Sequence, residues 1–338
     1  MSSKNRQWIL ARRPDGALRS EDLLYREQKM DANPLRTGEI LVRNRIFQCA
    51  PTIRNWMRGD SSGFALTIPI GTPVRGQAAA EVIASADERY PVGSKVSLIG
   101  SWQDFEILRP AAVPSLRKLP DGMEFADALG RYGLNSLTAY FGLLDVGKPM
   151  PGETVLVSGA AGSVGAVAAQ IALLKGCRVI GTAGSAAKCS WLLDELGLER
   201  AINYRSEDLS QALSAAASDG IDLFFDNVGG AVLEAAIARM NRQSRIVLCG
   251  QISGYNAAGG AFASLDMMRL IYGGIRMQGF VMSDYLTRID EAVDDLKSWE
   301  DPGRLQFRVD MRHGFEKLPH IFNSIFNGEN EGTLLVEI

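Results

Sequence analysis

The order of hydrophobic and polar positions divides the chain into three zones. In residues 1 to about 125 the apolar runs are short and strand-like. Glu39–Cys49 (EILVRNRIFQC) alternates with a period of two, as a half-buried strand does. Glu81–Ala84, Lys95–Leu98 and Phe105–Leu108 are apolar runs among Gly, Pro and Ser, and Pro91-Val92-Gly93 marks a turn before a strand. From about residue 126 strand and helix patterns alternate. Strands are expected at Thr154–Val157, Arg178–Thr182, Ala201–Asn203, Ile221–Asp226, Arg245–Cys249 and Arg276–Phe280. Helices are expected at Ser163–Lys175, Ala186–Leu196, Leu209–Ala217 and Ala231–Met240. Six apolar strands with intervening helices predict an α/β fold, a parallel sheet covered on both faces. After about residue 300 the pattern is mixed, with His320–Phe326 inside a helix and Leu334–Ile338 a terminal strand. That last strand is expected to rejoin the first zone. The predicted domains are therefore 126–302, inserted into a β-rich domain made of 1–125 and 303–338. Ala257–Ala263 is rich in Gly and Ala and reads as a mobile loop.

The segment with the most chemistry is Thr154–Gly165 (TVLVSGAAGSVG). An apolar strand runs into Gly159, Gly162 and Gly165, and then into a small-residue helix. Ala160 stands where the first glycine of G-x-G-x-x-G is usual. The logic of a doubly wound Rossmann fold still holds. Gly162 lets the backbone approach a pyrophosphate, Gly165 lets the helix pack on the strand, and the N–H groups of Ser163 and Val164 open the helix toward the phosphates. A glycine motif alone is weak evidence, but this one lies between a strand and a helix at the head of a βαβ unit.

An NAD site usually has an acid about 20 residues beyond the glycine loop, to hold the ribose 2′-hydroxyl. Here the second strand ends in Thr182-Ala183-Gly184-Ser185 with no acid, and Lys188 follows. Tyr204 and Arg205 come after the third strand. A cation with hydroxyl donors suits a 2′-phosphate, so NADP(H) is the expected cofactor. The alternative for Lys188 is a solvated helix lysine.

Composition narrows the function by exclusion. The 338 residues carry a net charge of −3, with no basic excess of the kind that nucleic acid or an anionic membrane surface attracts. Within Met1–Asp15, Lys4, Arg6, Arg12 and Arg13 surround an apolar patch too short for a signal core. No stretch approaches the roughly 20 apolar residues of a membrane span. The four cysteines, at 49, 177, 189 and 249, are scattered, and the two histidines, His313 and His320, sit near the end of the sequence. That is neither a disulfide framework nor a zinc pattern. A reducing, cytoplasmic setting is expected, with no bound metal. Nor is there a G-x-S-x-G elbow. Hydride chemistry without a metal Lewis acid needs an acceptor that is already polarised. A conjugated C=C–C=O qualifies, with hydrogen-bond donors stabilising the enolate oxygen.

Several segments carry a family resemblance. They include Gln7–Ala11, Gly38–Asn44, Leu137–Gly147 (LTAYFGLLDVG), Val157–Gly165, Gly176–Gly181, Asp194–Gly197, Phe225–Gly230 (FDNVGG), Gly250–Asn256 (GQISGYN) and Gly328–Val336. Together they resemble the medium-chain dehydrogenase/reductase superfamily, in its zinc-free branch of prostaglandin/leukotriene reductases, plant alkenal double-bond reductases and bacterial curcumin-type reductases. The resemblance spans nearly the whole chain. It implies a Rossmann domain inserted into a GroES-like catalytic domain, and a homodimer. It also implies that Gly162, Ser163, Val164, Gly165, Gly184, Ser185, Lys188, Tyr204, Asn227, Cys249, Gly250, Ser253, Tyr255 and Asn330 hold the cofactor. Tyr255 matches a tyrosine near the nicotinamide, an enolate stabiliser or proton donor; the alternatives are cofactor holding or loop packing.

The departures fall on the substrate side. The family's Asp-Pro-Tyr-Met-Arg is here Ala50-Pro51-Thr52-Ile53-Arg54, and its Met-Pro-Gly before Leu-Thr-Ala-Tyr is Leu134-Asn135-Ser136. Arg54–Asp60 (RNWMRGD) is also unusual. Thr52, Arg54, Trp56 and Asn135 are thus candidates for a reshaped substrate pocket, with Trp56 either pocket or core. The leading expectation is NADPH-dependent reduction of the C=C of an enone or enal. The alternatives are a quinone reductase or alcohol-type dehydrogenase on the same scaffold, and a non-catalytic NADPH-binding protein.

Overall fold

The computed structural model describes residues 4–30, 34–59, 63, 66–257 and 264–338. Of the Ala257–Ala263 loop only Ala257 falls within them, and Asp60 of the unusual stretch lies outside. The chain divides into two compact units, Met1–Gly133 with Val309–Ile338, and Leu134–Arg308.

The second unit is built on six parallel strands in the order Arg200–Asn203, Arg178–Ala183, Thr154–Val157, Ile221–Asp226, Met240–Leu248, Arg276–Gly279. In chain order this is 3-2-1-4-5-6, the Rossmann order. The central strands have every or nearly every residue buried, which is why they read as unbroken apolar runs. Leu156, Ile180, Phe224 and Ile246 meet Leu233, Ala236 and Ile237 of the helix Gly230–Ile237 in the core. Each fully buried side chain of that size contributes about 1.5–3 kcal/mol. The strand order reverses between Thr154–Val157 and Ile221–Asp226, and open α/β sheets bind ligands beyond the carboxyl ends at such a point.

Two boundaries differ from the sequence pattern. The helix expected to reach Met240 ends at Ile237, and Met240 opens the next strand. That strand starts five residues before its apolar run, because Met240 pairs with Ile221 across an irregularity where Gln243 takes φ +58°. Asn241–Ser244 span the irregularity between the Ile221–Met240 and Leu223–Arg245 pairs, so no apolar pattern marks them as strand. The helices Leu134–Phe141 and Ile289–Glu300 escaped the pattern reading.

The first unit holds a seven-stranded sheet in the order Val309–His313, Thr333–Glu337, Ile40–Cys49, Arg75–Ser85, Lys95–Ser101, Arg117–Lys118, with Phe105–Leu108 paired to Ile40–Cys49. The terminal strand does rejoin the early one, with Leu334 opposite Cys49 and Val336 opposite Phe47. A separate antiparallel pair, Lys4–Leu10 with Leu23–Lys29, was not evident from alternation. The helix Phe125–Gly130 belongs to this unit, since Leu129 packs with Ile46, Ala79 and Leu335. Residues 303–308 go with the second unit, where Gln170 exchanges two hydrogen bonds with the Gln306 backbone.

Candidate dinucleotide site

The glycine loop is held by close backbone packing. Gly159 takes φ +58°, the Ala160 N–H donates to Thr182 O (2.9 Å), and the Gly162 N–H donates to Gly159 O (2.9 Å). Gly162 then caps the helix Ser163–Leu174 in extended conformation. A Cβ on Gly165 would lie 2.3 Å from Gly159 O, so only glycine lets the helix sit this close to the turn. Ala160 replaces a glycine without strain because Gly181 faces it; a Cβ on Gly181 would come 2.8 Å from the Ala160 methyl. Sequence reading overlooked Gly181, which compensates for Ala160 from the neighbouring strand. The first N–H groups of the helix have no carbonyl partner within it and face the carboxyl end of the sheet.

At the end of the second strand, the Ser185 hydroxyl accepts from the Lys188 N–H (3.3 Å) and caps the helix Ala186–Asp194. The Tyr204 ring lies across Gly184, where a Cβ would meet its hydroxyl at 2.6 Å and Arg205 Nε at 3.4 Å. The Tyr204 hydroxyl and the Arg205 guanidinium thus gather at Gly184, where an acid would bar a phosphate, with Ser185 and the Lys188 backbone opening the next helix beside them.

At the point where the strand order reverses, the organiser is Asp226, a residue the sequence reading did not single out. It is 1% exposed. Its carboxylate accepts from Ser158 Oγ (2.7 Å), Val228 N (3.0 Å) and Gly229 N (3.0 Å). Burial pushes its pKa up and these donors pull the other way. Ser158 in turn accepts from the Asn227 N–H at its hydroxyl and from the Asn227 side-chain amide at its carbonyl, both at 2.8 Å. The Asp226 carbonyl takes the N–H groups of Cys249 (2.9 Å) and Gly250 (3.1 Å). Ser253 Oγ donates to Val228 O (2.6 Å), which fastens the short helix Ile252–Tyr255 to the same loop. The Tyr255 oxygen accepts from Gln251 N (3.2 Å), and its hydroxyl lies 3.3 Å from where a Gly250 Cβ would be. Loss of hydration pushes the Cys249 thiol up to about 12, so it is no nucleophile at neutral pH.

Asn135, expected on the substrate side, lies in the second unit, and its amide donates to Ser163 Oγ at 2.6 Å. The remaining candidates are in the first unit. Thr52 opens the helix Thr52–Arg58, and Trp56 is half-buried, its carbonyl accepting from Ile68 N (2.9 Å). Arg54 is 2% exposed; its guanidinium donates to Pro14 O (3.0 Å) and Gly16 O (2.6 Å), while Nη1 is buried without a partner. In this structure Arg54 pins residues 14–16 to the helix. The Asn330 side chain donates to Gly332 O (2.9 Å). His313 and His320 are exposed. Among the described residues no three His, Cys, Asp or Glu side chains converge as metal ligands.

The second unit's loops therefore fit a dinucleotide: a collision awaiting a Cβ at Gly165, a helix N-terminus, and the Arg205 guanidinium beside Gly184 where NAD sites have an acid. Residues 163–298 match the family model for zinc-binding dehydrogenases, and residues 6–116 that for the N-terminal domain of oxidoreductases. Prostaglandin reductase 1 of Rattus norvegicus is 37% identical over 90% of this chain and 91% of its own. The NADPH-dependent curcumin reductase of Escherichia coli is 33% identical over 99% and 97%. The crystal structure of CurA from Vibrio vulnificus in complex with NADPH superposes with a TM-score of 0.90 at 34% identity, covering 98% of each chain. Full-length similarity at this level, on a Rossmann unit inserted between two segments of a β-rich one, means that the chain belongs to the reductase branch of the medium-chain dehydrogenase/reductase superfamily.

Proposed function

We propose that this protein reduces the activated C=C bond of an α,β-unsaturated ketone or aldehyde, using NADPH and no metal. It is an NADP-dependent oxidoreductase. The observation that carries the finer reading is that relatives matching its whole length include reductases of curcumin and prostaglandins. Gly162–Gly165 and the opening of the helix Ser163–Leu174 hold the pyrophosphate. Gly184, Ser185, Lys188 and Tyr204 hold the 2′-phosphate. Asn227, Cys249, Gly250 and Ser253 line the inner end, and Asn330 also belongs to the cofactor set. NADPH, when bound, supplies a hydride to the β-carbon of the acceptor. Tyr255 donates a hydrogen bond to the substrate carbonyl and stabilises the enolate; it or water then delivers the proton to the α-carbon. The hydrogen bond that the Tyr255 oxygen accepts from Gln251 N strengthens it as a donor. Thr52 and Trp56 shape the acceptor side.

Two copies associate through the edge of the parallel sheet. Strand Arg276–Gly279 pairs on one side only, none of its residues is buried, and Met267, Ile271, Tyr272 and Val281 nearby are exposed. The reaction is placed in a reducing cytoplasm, where the four cysteines stay thiols. No described helix is long and apolar enough to cross a membrane.

The test is NADPH oxidation with a panel of simple enones, enals and quinones, with and without EDTA. Enone and enal turnover unaffected by EDTA is expected. Turnover of menadione alone would replace this reading with a quinone reductase, and loss of activity in EDTA would remove its metal-free part.

A further inference from the structure

The segment Leu134-Asn135-Ser136 departs from the family pattern, and the structure gives that departure a partner in the glycine loop. The Asn135 side-chain amide donates to Ser163 Oγ at 2.6 Å. Asn135 is buried at 7% exposure near the start of the helix Leu134–Phe141. Ser163 is the first residue of the helix Ser163–Leu174, directly after its cap Gly162, and is half-buried. A hydroxyl has one proton to give and lone pairs to receive. With an amide N–H directed at its oxygen, the Ser163 hydroxyl has its proton turned away from Asn135. The first-turn N–H groups of the same helix lack acceptors within it, and its N-terminus favours negative charge.

We infer that Asn135 is a positioning residue for phosphate binding: it fixes the Ser163 hydroxyl as a donor toward the cofactor's pyrophosphate. A proline at this position, as in the family pattern, has no side-chain N–H to do so. The device acts through the polarity it gives the Ser163 hydroxyl. It rests on the NADPH reading above. Asn135 need not touch the cofactor; its effect passes through Ser163.

The experiment is the Kd for NADPH, by fluorescence titration in the absence of substrate, for the wild type, Asn135→Ala, Asn135→Asp, Ser163→Ala and the Asn135→Ala/Ser163→Ala double variant, each with its Tm. Asn135→Ala is expected to raise Kd about tenfold, the worth of one charge-assisted hydrogen bond, ~1.4 kcal/mol. In the Ser163→Ala background the same change is expected to add less than about twofold. Asn135→Asp is nearly isosteric but only accepts, so it draws the Ser163 proton to itself and sets a negative charge beside the phosphate. It is expected to raise Kd about a hundredfold, well beyond Asn135→Ala, with Tm little changed. A purely packing role for Asn135 leaves the effect of Asn135→Ala undiminished in the Ser163→Ala background. Asn135→Asp binding no worse than Asn135→Ala, or an undiminished effect of Asn135→Ala without the Ser163 hydroxyl, overturns the inference. A wild type that does not bind NADPH overturns the cofactor reading itself.

Discussion

The glycine loop of the second unit and the helix Thr52–Arg58 of the first are both built around residues that resist substitution, for different reasons. In the glycine loop the constraint is absence. Gly165 leaves space that no Cβ can share with Gly159 O, and at Gly184 a Cβ would displace the Tyr204 ring. In Thr52–Arg58 the constraint is presence. Arg54 fills its surroundings with a guanidinium bonded to the carbonyls of Pro14 and Gly16. The first pattern keeps backbone N–H groups open to a ligand; the second uses the donors of a side chain to hold the protein's own backbone. Motifs that look equally functional in sequence can therefore be built in opposite ways, one around missing side-chain atoms and one around the donors of a side chain.

The contrast breaks if Gly165→Ala is tolerated. The added methyl meets backbone, so the helix must shift, and the Kd for NADPH is expected to rise at least about a hundredfold, the upper end of overpacking costs of ~1–3 kcal/mol. Arg54→Ala tests the other half. It is expected to lower stability by about 3 kcal/mol in chemical denaturation, since it strips donors from buried carbonyls, while NADPH affinity stays within about twofold. A loss of cofactor or substrate binding without a loss of stability would return Arg54 to the pocket. Tyr255→Phe sharpens the division between holding and reacting. A fall of about thirtyfold in kcat with Kd for NADPH unchanged is the expected result, and a change in Kd alone would make Tyr255 a cofactor ligand only. The smallest effect is Lys188→Ala, expected to raise the KM for NADPH about tenfold and that for NADH hardly at all; equal effects on both would remove its 2′-phosphate role.

Much of the second unit was legible in the sequence because its central strands are buried on both faces. Thr154–Val157 and Ile221–Asp226 could be read to the residue from apolar runs alone. Where a strand runs past its apolar pattern through an irregularity, as at Asn241–Ser244, the boundary was missed. The glycines were readable because their chemistry lies in their own residue type. Asp226 was not, because a buried acid at a strand end is known only through its partners, here Ser158, Val228 and Gly229. Gly181 likewise has meaning only opposite Ala160. Asn135 was legible as a departure, yet its partner Ser163, 28 residues on, was not.

The carbon on which the hydride lands separates alkene reduction from carbonyl reduction. Incubation with an α,β-unsaturated ketone and NADPH deuterated at the transferable position of the nicotinamide, followed by mass spectrometry and NMR of the product, reads this directly. The predicted product is the saturated ketone with deuterium on the β-carbon and a solvent proton on the α-carbon. An allylic alcohol with deuterium on the carbinol carbon and the C=C intact would contradict it.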